Sequence, residues 1–282
     1  YIAGAISNIP GGIFVDTSPR KGTLLAVSLF WIGFPYLLMG FTHSYWLLLA
    51  CISLVGIGNN LWHPAAIPTL ASRYPERKGL VLSIHGMGGN VGDACAPLVI
   101  GALLAVLTWR EIVMINVVPG IVMSVLILLY MGAFTVEGNR NEHAAARGIK
   151  DYLRNFGQLF RNRALMLISA TTGMRTLTQS GLLTFLPLYL AHELGYSTVA
   201  VGTAMFVLQA AGFAAAPVSG HLSDKLGRSK IMVSSMAMSA VVLVAMTFAG
   251  KSSAFILFVA LLGFFMYAAR PVMQAWAMEI AP

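Results

Sequence analysis

Long apolar segments separated by short polar loops account for most of this 282-residue chain. Most of the segments are close to the ~20 residues that a helix needs to cross the hydrocarbon core of a bilayer. Nine are visible, at 1–15, 22–41, 45–71, 79–107, 111–134, 164–191, 198–221, 230–249 and 253–280. The pattern predicts an all-α membrane protein with nine transmembrane helices.

A short charged pattern occurs twice, about 208 positions apart, and each copy lies where one apolar segment ends and the next begins. In both copies a Gly precedes an Asp by four residues, and an Arg follows that Asp by four residues. The first copy comprises Gly12, Asp16, Arg20 and Lys21, and the second comprises Gly220, Asp224, Lys225, Gly227, Arg228 and Lys230. A repeated charged hinge between apolar spans indicates two related helical bundles in tandem.

The composition favours a membrane location. Hydrophobic residues make up 57% of the chain and charged residues only 10%, whereas roughly 25% of the residues in soluble domains are charged. The two cysteines, Cys51 and Cys95, lie in apolar segments and form no CxxC or metal-binding pattern. We therefore expect a multi-pass integral membrane protein without a metal site or a cofactor.

The basic residues are concentrated in alternate loops. Four loops, at 20–21, 73–78, 140–163 and 225–230, hold fourteen of the eighteen Lys and Arg residues. By the positive-inside rule these loops are cytoplasmic. The formal net charge of +8 is thus a topology signal, and we expect no nucleic-acid partner, because that would need a basic face on a soluble domain.

One polar connector, 135–163, divides the chain. It is charged and Ala-rich at first, and its second part has the pattern of a short amphipathic helix on the membrane surface. We expect residues 1–134 to form an N-terminal bundle, 135–163 to be a cytoplasmic linker between bundles, and 164–282 to form a C-terminal bundle.

The two charged loops resemble the signature of the major facilitator superfamily, G-x-x-x-D-[RK]-x-G-[RK]-[RK]. The second copy matches it closely, whereas the first has Thr17 in place of a basic residue and Pro19 in place of Gly. The resemblance implies a major facilitator fold of two pseudo-symmetric bundles, in which these loops act on the inward-facing gate. It maps the nine spans onto helices two to ten of a twelve-helix transporter, so that the chain is a fragment lacking helices one, eleven and twelve. We expect a monomer in the bacterial inner membrane.

Two further stretches resemble fosmidomycin-resistance-type carriers within that superfamily. The stretch 56–65 includes Asn59, Asn60, His63 and Pro64, and the stretch 83–92 includes His85. The polar residues of the first stretch, Asn59, Asn60 and His63, are candidates for the substrate pathway.

Small residues recur every four positions along the segment 79–107. The pattern comprises Gly88, Gly92, Ala96, Pro97 and Gly101. It resembles the helix-five motif of antiporters in the superfamily, with Ala96 where Gly is usual. The alternative is simple close packing of two helices, which small residues permit.

Ionisable groups inside a bilayer are costly, so each is a candidate functional residue. Asp93 lies well inside its span, and desolvation there favours the protonated carboxyl that a proton-coupled carrier needs. His63 and His85 are the other proton-coupling candidates. The alternative for all three is a hydrogen-bonded or hydrated packing role.

Two arginines, Arg175 and Arg270, also lie within apolar segments. Each is followed four residues later by a glutamine, Gln179 and Gln274 respectively, on the same helix face. Two fixed positive charges favour an anionic or carboxylate-bearing substrate, and the alternative is structural ion pairing, including a pair with Asp93.

These patterns favour a secondary active transporter that moves a small organic, anionic solute or drug by alternating access, coupled to protons and working in export. A proton-coupled uptake symporter of an organic acid uses the same fold, and so does a non-transporting membrane receptor. The sequence contains no G-x-S-x-G, HExxH or Walker pattern, which argues against a membrane enzyme and against ATP-driven transport.

Overall fold

A computed structural model describes residues 20–131, 162–249 and 254–280, together with Ser7, Val15 and Ser18. Within these residues the chain is helical and contains no strand. The helices are α1 (Lys21–Phe41), α2 (Tyr45–Arg73), α3 (Lys78–Leu103), α4 (Trp109–Ile115), α5 (Val117–Met131), α6 (Arg163–His192), α7 (Thr198–Leu226), α8 (Arg228–Ala249) and α9 (Ala254–Ile280).

Six stretches of helix in the described ranges are long and apolar enough to cross a membrane. They are Lys21–Phe41, Tyr45–Arg73, Trp109–Met131, Thr198–Leu226, Arg228–Ala249 and Ala254–Ala277. Helices α3 and α6 have the necessary length, 26 and 30 residues, but they are less apolar because they carry the glycines and polar residues singled out above. Six of the nine predicted segments thus form helices with the length and apolar character of membrane spans. The segment 1–15 lies largely outside the described residues.

Polar side chains fix where several helices begin. Thr108 caps α4 in a reciprocal arrangement with Glu111, whose carboxylate accepts from the Thr108 backbone N–H at 2.7 Å. Ser197 caps α7 by accepting from the backbone N–H of Ala200 at 3.3 Å. These contacts satisfy N–H groups that the first helical turn leaves without a partner.

One compact unit comprises Tyr1–Met87 and Leu107–Arg147. Helix α1 lies at its centre and packs against α2, α4 and α5. Leu24 and Leu25 of α1 are buried against Ala65 and Ala66 of α2. The buried Ser124 hydroxyl of α5 donates to the carbonyl oxygen of Ala26 at 2.8 Å, and this bond ties α5 to α1.

The other compact unit comprises Gly88–Val106 and Gly148–Pro282. Helix α9 is its central element and packs against α6, α7 and α8. The core between these helices includes Leu190, Leu208, Val259 and Leu262, each at most 1% exposed. The second half of α3, from Gly88, also belongs to this unit. Most of the connector 135–163 lies outside the described residues. The division into bundles at 1–134 and 164–282 therefore stays a prediction.

Candidate functional site

A line of hydrogen-bonded polar side chains crosses the unit that contains α6, α7 and α9. It begins at Arg175 of α6, which is only 8% exposed. The Arg175 Nε donates to the carbonyl oxygen of Met266 in α9 at 3.3 Å, and its Nη2 donates to Oε1 of Gln179 at 2.8 Å. The structure therefore brings together the predicted pair Arg175 and Gln179 and adds a bond to the neighbouring helix.

The line continues through two residues that the sequence analysis did not single out. Gln179 also interacts electrostatically with Tyr267 in α9, the residue after Met266. The Tyr267 hydroxyl donates to Oε1 of Gln209 in α7 at 3.3 Å, and Nε2 of Gln209 donates to the backbone carbonyl oxygen of Asp93 in α3. Hydrogen bonds thus link four helices: α6 to α9 through Arg175 and the Met266 carbonyl, α9 to α7 through Tyr267, and α7 to α3 through Gln209.

The ring of Tyr267 is held by the close approach of α7 and α9. A Cβ atom at Gly212 would lie 2.6 Å from Cδ2 of the tyrosine ring. Only glycine leaves room for the ring at this position. The hydroxyl of Tyr267 is therefore aimed by packing as well as by its hydrogen bonds.

Charged groups surround the same tyrosine. Arg270, one residue beyond the buried Ala269 of α9, interacts electrostatically with Arg175 and with Tyr267, and Asp93 contributes to the same field. Arg270 and Asp93 are exposed. In the described part of the chain, neither Arg175 nor Arg270 forms a salt bridge with a carboxylate. Gln274, one turn beyond Arg270, is exposed as well.

The small residues of α3 divide into two groups. A Cβ atom at Gly101 would lie 2.5 Å from the carbonyl oxygen of Thr198 and 2.9 Å from Cα of Gly202, both in α7. A Cβ atom at Gly202 would lie 2.5 Å from the carbonyl oxygen of Pro97. Gly101 and Pro97 thus serve close packing of α3 against α7.

The remaining members of that pattern lie away from the contact. A Cβ atom at Gly88 or at Gly92 would meet no atom of the described residues within 4 Å, and Ala96 is exposed. Close packing therefore accounts for only part of the pattern.

The two candidate histidines lie together in the unit that contains α1 and α2. The rings of His63 and His85 are 6.0 Å apart and meet edge to face, and Trp62 stacks on His85 at 6.3 Å. Asn59 is exposed on the same helix as His63, and the side chain of Asn60 lies outside the described residues. The structure thus places these histidines in one unit and Asp93 in the other.

The second charged loop forms an ion network between the ends of three helices. Nη1 of Arg228, at the start of α8, lies 2.5 Å from Oδ1 of Asp224 and donates to Oγ of Ser223 at 2.6 Å, both in α7. Nη2 of Arg228 lies 3.0 Å from Oε1 of Glu279 near the end of α9. Glu279 is a partner that the sequence analysis missed.

The other residues of the charged loops have simpler surroundings. Gly227 ends α7 with a φ of 98°, a backbone conformation that favours glycine. Lys225 and Lys230 are exposed, and a Cβ atom at Gly220 would meet open space. In the first copy, Arg20 is exposed and the Lys21 ammonium donates to the carbonyl oxygen of Val15, whereas Gly12 and Asp16 lie outside the described residues.

An open groove lies between α6, α8 and α9. Arg175 lines one part of it, and the rest of its wall is mostly apolar, with Leu243, Leu262 and Phe265 among the lining residues. Arg175 therefore belongs both to the wall of this groove and to the polar line.

Sequence comparisons identify the family. The profile of the Major Facilitator Superfamily matches residues 1–282. The chain is 24% identical to the uncharacterised MFS-type transporter YfnC of Bacillus subtilis over 96% of this chain and 66% of that protein. It is 22% identical to the phosphoglycerate transporter protein of Salmonella typhimurium, over 86% of this chain and 58% of that protein. It is 26% identical to the multidrug resistance protein MdtG of Yersinia enterocolitica, over 88% of this chain and 59% of that protein.

These curated relatives are longer than the chain, which spans 58–66% of their lengths. A solved structure of a bacterial homologue of the human lysosomal transporter Spinster, inward-facing and unoccupied, superposes with a TM-score of 0.73. It is 19% identical, and the match covers 96% of this chain and 64% of that one, which shows a shared fold. With the whole chain matched by the family profile, this protein belongs to the major facilitator superfamily.

Proposed function

We propose that this protein is a secondary active transporter of a small organic anion, working by alternating access and coupled to protons. The observation that carries the proposal is the pair of arginines in one helical unit, Arg175 and Arg270, without a carboxylate salt bridge in the described residues. An intramembrane charge needs a partner, because a charge in hydrocarbon is costly. An anionic solute supplies that partner during transport.

The two arginines have different parts in this proposal. Arg175 is buried and held by Gln179 and the Met266 carbonyl, so it contributes a fixed positive field. Arg270 is exposed and provides a guanidinium whose planar donors fit a carboxylate or a phosphate. The name of the Salmonella relative, a phosphoglycerate transporter protein, describes a solute that carries both groups.

We assign proton coupling to Asp93, which is exposed on α3 and whose charge acts on Tyr267. His63 and His85 are the further proton-coupling candidates, since their rings meet in the other unit. Export is the proposed direction. It is supported by the antiporter-like pattern of α3 and by the multidrug resistance proteins among the relatives.

The proposed membrane arrangement extends the six apolar helices. We assign α3 and α6 as transmembrane helices too, because they have the length to cross a bilayer and carry the proposed site. The segment 1–15 would be the ninth span. The basic loops are cytoplasmic in this arrangement, the protein is a monomer in the bacterial inner membrane, and the His63–Pro64 stretch favours a fosmidomycin-resistance-type carrier.

Solute and proton flux in proteoliposomes tests the proposal. The full-length protein is challenged with phosphorylated and carboxylate anions and with cationic drugs, and Arg270→Ala is compared with Arg163→Ala, an exposed arginine on α6. We expect anion flux that Arg270→Ala abolishes and Arg163→Ala retains, and anion-driven proton movement that Asp93→Asn abolishes.

Other outcomes refute specific parts of the proposal. Flux of cationic drugs alone refutes the anionic substrate. Anion flux that continues without proton movement refutes the coupling. Folded protein that moves none of the solutes favours the receptor alternative.

A further inference from the structure

A proline interrupts the hydrogen bonding of α3 at the place where the polar line reaches it. In an α-helix the N–H of each residue bonds to the carbonyl four residues earlier. Pro97 has no N–H, so the carbonyl of Asp93 lacks its intrahelical donor. A backbone carbonyl without a donor is costly in a membrane, and neighbouring helices commonly satisfy the groups that a proline frees.

The amide of Gln209 supplies the missing donor. Its Nε2 donates to the carbonyl oxygen of Asp93, the carbonyl that Pro97 frees. The close contact of Gly101 with Gly202 fixes the register of α3 along α7. Gln209 is two turns beyond Gly202 on the same face of α7, and Asp93 is two turns before Gly101 on α3. The antiparallel register therefore brings the glutamine to that carbonyl.

The orientation of this amide depends on Tyr267. An amide offers an oxygen on one side and an NH2 group on the other, so fixing the oxygen fixes the donor. The Tyr267 hydroxyl donates to the Gln209 oxygen at 3.3 Å, which leaves the NH2 group for the Asp93 carbonyl. Tyr267 in turn follows Met266, whose carbonyl oxygen accepts from Nε of Arg175 at 3.3 Å.

We propose that Gln209 is a positioning residue that replaces the N–H missing at Pro97 and, through Tyr267 and its neighbour Met266, couples Arg175 to the geometry of α3. Solute bound at the arginines then acts on α3 through a line of hydrogen bonds that changes as a unit. The coupling to solute depends on the proposed function, whereas the replacement of the donor at Pro97 does not.

A double-mutant cycle tests the replacement of the donor. Gln209→Leu, Pro97→Ala and the double variant are compared with the wild type in the full-length protein, by thermal unfolding in detergent. We expect Gln209→Leu to lower Tm by about 3 °C or more in the wild-type background. In the Pro97→Ala background the fall is clearly smaller, because the alanine N–H now donates to the Asp93 carbonyl and only the loss of the bond from the Tyr267 hydroxyl remains. Equal falls in both backgrounds overturn the proposal.

Two further variants separate the hydrogen bond from packing. Gln209→Glu keeps the size of the side chain, but its ionised carboxylate cannot donate, so we expect it to behave as Gln209→Leu does. Wild-type behaviour of Gln209→Glu overturns the donor role. Pro217→Ala in α7 is the control for the general effect of replacing a helix proline by alanine. We expect Gln209→Leu to keep its full effect in that background. Loss of the effect there also overturns the proposal.

Transport kinetics test the coupling. We expect Gln209→Leu to lower the maximal rate about ten-fold with KM changed less than about two-fold, since the residue acts on the conformational step and does not touch solute. Tyr267→Phe lowers the rate similarly and has no further effect in the Gln209→Leu background. If the double variant lowers the maximal rate by the product of the two single effects, the coupling is overturned. If the effect of Gln209→Leu on Tm is smaller in the Pro97→Ala background but the protein moves no anion, Gln209 still replaces the donor at Pro97. The proposed function is then refuted.

Discussion

Replacing Gly101 by alanine forces a carbon atom into the contact between α3 and α7. The new Cβ would lie 2.5 Å from the Thr198 carbonyl oxygen and 2.9 Å from Cα of Gly202. Carbon and oxygen of adjacent chains meet no closer than about 3.3 Å. The shortfall is therefore about 0.8 Å, and both obstructing atoms belong to the backbone, so no side-chain rotation relieves it. The two helices must move apart.

The cost of that movement follows from comparison with a glycine on the same helix. Gly92→Ala introduces the same Cβ where no described atom lies within 4 Å. Alanine favours a helix over glycine by about 1 kcal/mol at both sites, so this contribution cancels in the comparison. What remains is the overpacking cost of about 1–3 kcal/mol for Gly101→Ala.

Thermal unfolding of the purified variants in detergent measures this difference. We expect Gly101→Ala to unfold roughly 3–8 °C below Gly92→Ala. Equal Tm values for the two variants would refute the close contact between α3 and α7. Transport by Gly92→Ala gives further information. A loss of transport in this variant would assign Gly88 and Gly92 to the antiporter-like motif.

Three further substitutions have expected outcomes. Gly212→Ala should displace the ring of Tyr267, whose Cδ2 would lie 2.6 Å from the new Cβ, and lower transport as loss of the tyrosine hydroxyl does. Unchanged flux would contradict this. Gly227→Ala should lower stability by about 1–3 kcal/mol because of its φ of 98°. Gly220→Ala, with open space and an ordinary φ, should not, and chemical denaturation compares the two. Glu279→Gln should lower Tm in dilute buffer and have little effect in 1 M salt, where charges are screened within about 3 Å. A shift that persists in salt would contradict an ion-pair role.

The sequence predicted those features that depend on residues near each other along the chain. In the described residues the apolar segments located the helices to within a few residues, since the hydrophobic length needed to cross a bilayer is fixed. The segment 111–134 is the exception, because it forms two helices, α4 and α5. The spacing of four residues predicted that Arg175 and Gln179 share a helix face, and their side chains are in contact at 2.8 Å. The loop signature singled out Asp224 and Arg228, which form an ion pair one turn apart.

The sequence did not reveal the contacts that depend on the register of distant helices. Gln209 meets the carbonyl of Asp93 across 116 positions of sequence, and Arg228 meets Glu279 across 51. No local pattern encodes these distances. Two features of the sequence nevertheless pointed to this contact. A lone glutamine in an apolar helix needs a hydrogen-bond partner. Pro97 leaves the carbonyl four residues earlier in its own helix without a donor.

The positive φ of Gly227 has a consequence for exchanging the two charged loops. Pro19 occupies the corresponding position of the first copy, and a proline ring fixes φ near −65°. A graft of the second loop into the first position introduces a glycine, which accepts any conformation found there. The reverse graft places a proline where the backbone requires a φ of 98°. The glycine-containing loop therefore fits both positions, whereas the proline-containing loop does not fit between α7 and α8. A chimeric protein has to keep the glycine-containing loop there.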